Sequence, residues 1–156
     1  MQQTTLAEQT IPVEKALTYN TRFGEVALRE DRLITFKNGL LGFTGCTTFG
    51  LSRIPNADES PILLLQCVNE PEIAFLVADP KSIGLEIQDE DLSKAVKECQ
   101  MTKENVQTLV ILTMYDQEDS YYLTANLRAP LLIDSRSRQA RQHILANKNY
   151  TTQHKL

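Results

Sequence analysis

The chain has 156 residues, 42% of them hydrophobic and 23% charged, with no Trp and a formal net charge of −4. Those values fit one globular domain large enough to bury a core without a metal or a disulfide. The three cysteines (Cys46, Cys67 and Cys99) stand far apart in an odd count, which excludes a C-x-x-C zinc or redox motif and suits buried thiols in a reducing compartment.

The charge is uneven. Arg128 to Leu156 carries six Lys or Arg against one Asp, so residues 1–127 hold a balance of −9. An acidic body attracts basic proteins and repels nucleic acid.

Residues 1–17 contain six Thr or Gln and no aromatic residue, and they predict a flexible N-terminal extension. They lack a basic segment followed by an apolar one, so no signal peptide is expected. No apolar run approaches the ~20 residues of a membrane span. Residues 18–156 read as the folded domain. Thr21-Arg22-Phe23 and Val26-Ala27-Leu28 flank Gly24-Glu25 as a hairpin, and Arg32 to Phe36 predicts a strand ended by Asn38-Gly39. Gly39, Gly42 and Gly45 suit an irregular turn and do not follow the spacing of a phosphate-binding loop.

Ile62 to Val68 and Ile73 to Ala78 predict a central hairpin around the turn Asn69-Glu70-Pro71-Glu72. Gln88 to Met101 predicts a helix, with Asp89 as its cap. Its apolar stripe is Leu92, Ala95, Val96 and Cys99, at i, i+3, i+4 and i+7. Further strands are predicted at Thr108–Tyr115, Tyr121–Leu127, Leu131–Ile133 and Gln139–Leu145. The sum is a mainly β fold, an antiparallel barrel-like single domain with one or two short helices.

Chemistry is sparse. His143 and His154 are the only histidines and form no metal-ligand motif, and no G-x-S-x-G elbow occurs. No catalytic residue, cofactor site or metal site is therefore expected. The rival signal is the basic run holding Arg136, Arg138 and Arg141. On a strand Arg136 and Arg138 would share a face able to hold phosphates, which gives RNA binding as the alternative function. Between Tyr122 and Tyr150 no aromatic residue supplies a stacking platform.

From Phe23-Gly24-Glu25 onward the chain holds ordered blocks: Phe36-Lys37-Asn38-Gly39-Leu40-Leu41-Gly42-Phe43, then Phe49. Pro61, Leu65-Gln66, Glu70-Pro71, Ala74-Phe75 and Asp79-Pro80 follow, then Asn126-Leu127-Arg128-Ala129-Pro130, and finally Gln142, Ile144 and Tyr150. In these blocks the chain resembles the FliW family of flagellar assembly factors. It departs from the family's pattern at Lys37 and Leu41, where a Pro is usual, at Leu64, where an aromatic is usual, and in the length of residues 1–17.

The resemblance implies a cytoplasmic, non-enzymatic protein, without cofactor and monomeric when free. It implies two mutually exclusive partners, the RNA-binding translational repressor CsrA and flagellin, whose helical terminal segments suit an apolar groove. Expected contacts are Glu70, Pro71, Glu72 and Ile73 in one turn, with Asn126, Ala129 and Pro130 as a neighbouring rim. Asn126 and Pro130 could equally serve only to bend the chain between two strands.

Overall fold

The structure, a computed structural model, describes residues 16–156. The extension expected over residues 1–17 lies outside the described residues, except that Ala16 and Leu17 already belong to the first strand. Eleven strands and one α-helix follow among the described residues: β1 (Ala16–Thr21), β2 (Gly24–Arg29), β3 (Ile34–Phe36), β4 (Thr48–Arg53), β5 (Leu63–Cys67), β6 (Ala74–Ala78), α1 (Asp89–Glu98), β7 (Val106–Gln117), β8 (Ser120–Ala125), β9 (Leu131–Asp134), β10 (Gln139–Gln142) and β11 (His154–Lys155).

Seven strands close a ring. Their order is β7-β6-β5-β4-β3-β10-β9, and β9 returns to β7. The ring is antiparallel except where β10 runs parallel to β3. β7 is long enough to pair twice along one edge, first with β9 over Val106–Leu109 and then with β8 over Leu112–Gln117. β8 therefore projects beyond the ring, and β11 pairs on its outer side.

Alternation along the strands sorts side chains into two cores. Leu65 and Cys67 of β5, Phe49 and Leu51 of β4, Val77 of β6, Leu109 of β7, and Leu131 and Ile133 of β9 fill the ring together with Phe36. Phe36 and Phe49 meet edge to face at 5.4 Å. The intervening residues, Leu64, Leu76, Ala78, Val110, Leu112 and Leu132, form an outer apolar face. Both faces are thus buried, which explains why Leu63-Leu64-Leu65 reads as a continuous apolar run.

The outer face is covered by α1 and by the β1–β2 hairpin. Ala95, Val96 and Cys99 bury the predicted helical stripe there, while Lys94, Lys97 and Glu98 face water. Gln88, not Asp89, stands at the cap position and makes no side-chain cap hydrogen bond. Asp89 instead joins the first turn and pairs with Lys103 at 2.5 Å. Tyr150 pins the start of α1: its hydroxyl donates to Asp91 Oδ2 at 2.7 Å and accepts from Gln88 N–H at 2.8 Å. His143 pins the other end through Glu98 at 2.8 Å.

The β1–β2 turn falls at Arg22-Phe23, two residues before the predicted Gly24-Glu25, because Thr21 pairs directly with Gly24. Gly24 takes φ +119° to permit this. Leu28 of the hairpin packs on Gly50 of β4 so closely that a Cβ there would stand 2.7 Å from the Leu28 side chain. The sequence expectations contain no strand at β4, where Gly50, Ser52 and Arg53 dilute the apolar signal, and none at the two-residue β11.

Candidate protein-binding cleft

A cleft of about 650 Å³ opens where β6 and β7 part. Their ladder runs Ala78↔Val110, Val77↔Ile111, Leu76↔Leu112 and stops. β6 nevertheless begins at Ala74 and β7 continues to Gln117. The cleft is lined from both faces of the sheet, as a gap between strands requires: Leu64, Leu76 and Leu112 from the outer face, Phe75 and Ile111 from the inner one. Arg22 and Phe23 of the hairpin turn, Leu41 and Phe43 of the glycine loop, and Asn126 and Gln142 complete its walls.

The glycine loop puts two large apolar side chains in solvent. Gly39 and Gly42 have φ of +68° and +84°, and Leu40 and Phe43 bridge each other across the turn. A Cβ on Gly39 would lie 2.6 Å from the Phe43 carbonyl oxygen, so only glycine fits. Leu40 is buried by this turn, whereas Leu41 is 54% and Phe43 40% exposed. Phe43 stands edge to face on Phe75 at 5.1 Å.

The predicted turn sits beside this loop. Asn69 binds the loop backbone, accepting from Thr47 and Thr48 N–H at 3.3 and 3.2 Å and donating to the Gly45 carbonyl at 2.5 Å. Gln66, fully buried, donates to the Pro71 carbonyl at 2.7 Å and the Cys67 carbonyl at 2.9 Å and so fixes the turn from beneath. Pro71 and Glu72 are exposed and line the cleft. Ile73 is half-buried against the inner core. Glu70 turns back instead: its Oε2 accepts from the Cys46 thiol at 2.9 Å. The buried Cys46 is pushed up to about 12, by burial first and then by hydrogen bonds to Glu70 and Cys67.

The second predicted group divides similarly. Asn126 lines the cleft and its Oδ1 accepts from Ala129 N–H at 3.0 Å, so it shapes the bend after β8 while facing the gap. Ala129 and Pro130 are buried and form the interior of that bend, not a rim. Gln142 ties bend to loop: its Oε1 accepts from Leu41 N–H at 2.8 Å and its Nε2 donates to the Ala129 carbonyl at 3.1 Å. The structure thus brings Pro71, Glu72 and Asn126 to one cleft. It adds Leu41, Phe43 and Phe75, which the sequence expectations did not assign to a site. Their signal was two large apolar residues between glycines, outside any strand pattern.

The basic run does not form the expected strand face. Arg136 lies in the β9–β10 turn and Arg138 adopts φ +62°, so only Arg141 is on β10. Arg138 folds inward, donating from Nη2 to the Arg32 carbonyl. Burial, and then the neighbouring Arg32 charge, lower it to about 10. Arg136 and Arg141 remain exposed. Among the described residues no cluster of three or more His, Cys, Asp or Glu could hold a metal ion, and no helix is long and apolar enough to cross a membrane.

The family model described as FliW protein matches residues 17–156. The flagellar assembly factor FliW of Bacillus licheniformis is 37% identical over 133 residues, which cover 83% of this chain and 88% of that protein. That of Thermosipho africanus is 34% identical over 144 residues, covering 90% and 95%. A solved structure titled as the crystal structure of the flagellar assembly factor FliW shares the fold with a TM-score of 0.68 at 31% identity, over 90% of this chain and 95% of the other. A family match running from the first described strand to the C-terminus, together with relatives above 30% identity over most of both chains, shows that this chain belongs to the FliW family.

Proposed function

We propose that this chain is a non-enzymatic flagellar assembly factor of the cytoplasm that binds CsrA and flagellin in turn at the cleft between β6 and β7. While flagellin accumulates it occupies the protein, and CsrA is free to repress flagellin translation. Once flagellin is secreted, the vacated protein sequesters CsrA. The observation that carries this reading is the cleft itself. Leu41, Phe43 and Phe75 are apolar anchors, and Glu72 stands on the rim. The body of residues 1–127 has a balance of −9, which suits a basic, RNA-binding partner. Hot spots of this kind concentrate on buried aromatic anchors, while rim charges mainly set the association rate.

The test is titration of purified CsrA without flagellin, using wild type, Phe43→Ser and Glu72→Lys. Phe43→Ser is expected to lower affinity at least tenfold. Glu72→Lys is expected to slow association several-fold and to flatten its salt dependence, with an unchanged melting temperature. Wild-type affinity in both variants would remove the cleft from the reading. RNA binding is disfavoured by the inward turn of Arg138. No shift of RNA by the protein in low salt is the corresponding expectation.

A further inference from the structure

The two strands that flank the cleft present unmatched backbone edges, and this bears on what shape of partner fits. In an antiparallel ladder the N–H and C=O of successive residues point to alternate edges. Asn126 N–H donates to the Ile111 carbonyl at 2.9 Å, so odd-numbered residues of this part of β7 point toward β8. Leu112, Met114 and Asp116 therefore point toward β6. On β6, Cys67 N–H donates to the Ile73 carbonyl at 3.0 Å, so odd residues point toward β5 and Ala74 points toward β7. Leu112 meets Leu76, but Ala74 and Met114, next in the same register, do not pair.

Resting on the reading of this cleft as a protein-docking site, we infer that its occupant is an extended segment of the partner protein. This segment enters as an added strand between Ala74 of β6 and Met114–Asp116 of β7. Three observations carry this choice over a helix. A helix satisfies its own backbone and would bury the Ala74 and Met114 groups without partners, which is costly, whereas a strand supplies a donor and an acceptor to each edge. A four-residue strand, at ~3.3 Å rise, ~4.8 Å strand spacing and ~10 Å sheet thickness, occupies roughly 600 Å³, on the scale of the 650 Å³ cleft. Apolar walls stand on both sides of the sheet, Phe23, Leu64 and Leu76 on one and Phe43, Phe75 and Ile111 on the other. They suit side chains that alternate between two faces.

The edge also gives the segment its chemistry. Beyond Met114 the β7–β8 hairpin carries Asp116, Glu118 and Asp119 at its exposed tip. The segment is accordingly apolar where it crosses the cleft and carries Lys or Arg where it passes the tip.

The experiment is hydrogen exchange on the wild-type protein, free and saturated with purified CsrA or with purified flagellin. It is joined to affinity measurements on Met114→Pro and Met114→Ala. Proline removes the N–H at 114, and because that group points away from β8 the β7–β8 ladder keeps its bonds. The expected result is slowed exchange at Ala74, Met114 and Asp116 in at least one complex. For that partner, Met114→Pro should bind at least tenfold more weakly and Met114→Ala within about threefold of wild type. Exchange at these three amides as fast as in the free protein in both complexes overturns the strand, even if Phe43→Ser weakens binding. That pattern belongs to a helix laid across the cleft. If wild type binds neither protein, the functional reading itself fails and the inference falls with it.

Discussion

Gly39 and Gly42 share a left-handed backbone but differ in surroundings, and that difference separates two energetic effects. At Gly39 a Cβ would collide with the backbone of Phe43 and Thr44, whereas at Gly42 nothing lies within 4 Å. Gly42→Ala should therefore cost only the left-handed penalty, about 1–2 kcal/mol. Gly39→Ala should cost at least ~1 kcal/mol more, because backbone must move. Urea denaturation of the two variants gives the comparison directly. Cys46 makes a second residue-scale prediction. Its folded pKa is raised from an ordinary 9.0 to about 12. The folded protein thus keeps a proton that the unfolded chain releases, so this contribution is complete below pH 9 and is lost as pH rises toward 12. Stability followed from pH 8 to 11 should fall less steeply in Cys46→Ala than in wild type. Equal slopes would show that the thiol does not titrate differently in the two states.

At the scale of elements, most strands were legible because burial on both faces leaves continuous apolar runs, as in β5, β6 and β9. The helix was legible because Leu92, Ala95, Val96 and Cys99 follow helical spacing. β4 was not, since its core residues Phe49 and Leu51 straddle Gly50, whose missing side chain makes room for Leu28 from another sheet. The parallel β10–β3 pair was hidden for a related reason: pairing across more than 100 residues leaves no local signature. For the cleft, the turn at Pro71-Glu72 and the bend at Asn126 could be read from turn chemistry. That β6 and β7 separate beside them is a property of register. The packing of α1 depends heavily on one distant side chain, Tyr150, through Asp91 and Gln88. Tyr150→Phe should cost about 0.5–1.5 kcal/mol, since it removes the hydroxyl that joins Asp91 and the Gln88 N–H while water can still reach that exposed N–H. Faster hydrogen exchange confined to the first turn of α1 would locate the effect.

For the whole molecule, the ring is a closed frame that holds a glycine loop, a turn and a bend beside one cleft. Gln142 and Asn69 lock these three segments to one another. On the proposed function both partners compete for this cleft, so their binding is exclusive by occupancy and needs no conformational switch. The most direct measurement is a competition in which purified flagellin is titrated into a preformed complex of this protein with CsrA, followed by size and composition of the species in solution. Stepwise release of CsrA at equimolar flagellin is expected, with Phe43→Ser weakening both complexes. A stable species containing all three proteins, or failure of either partner to bind alone, would contradict it.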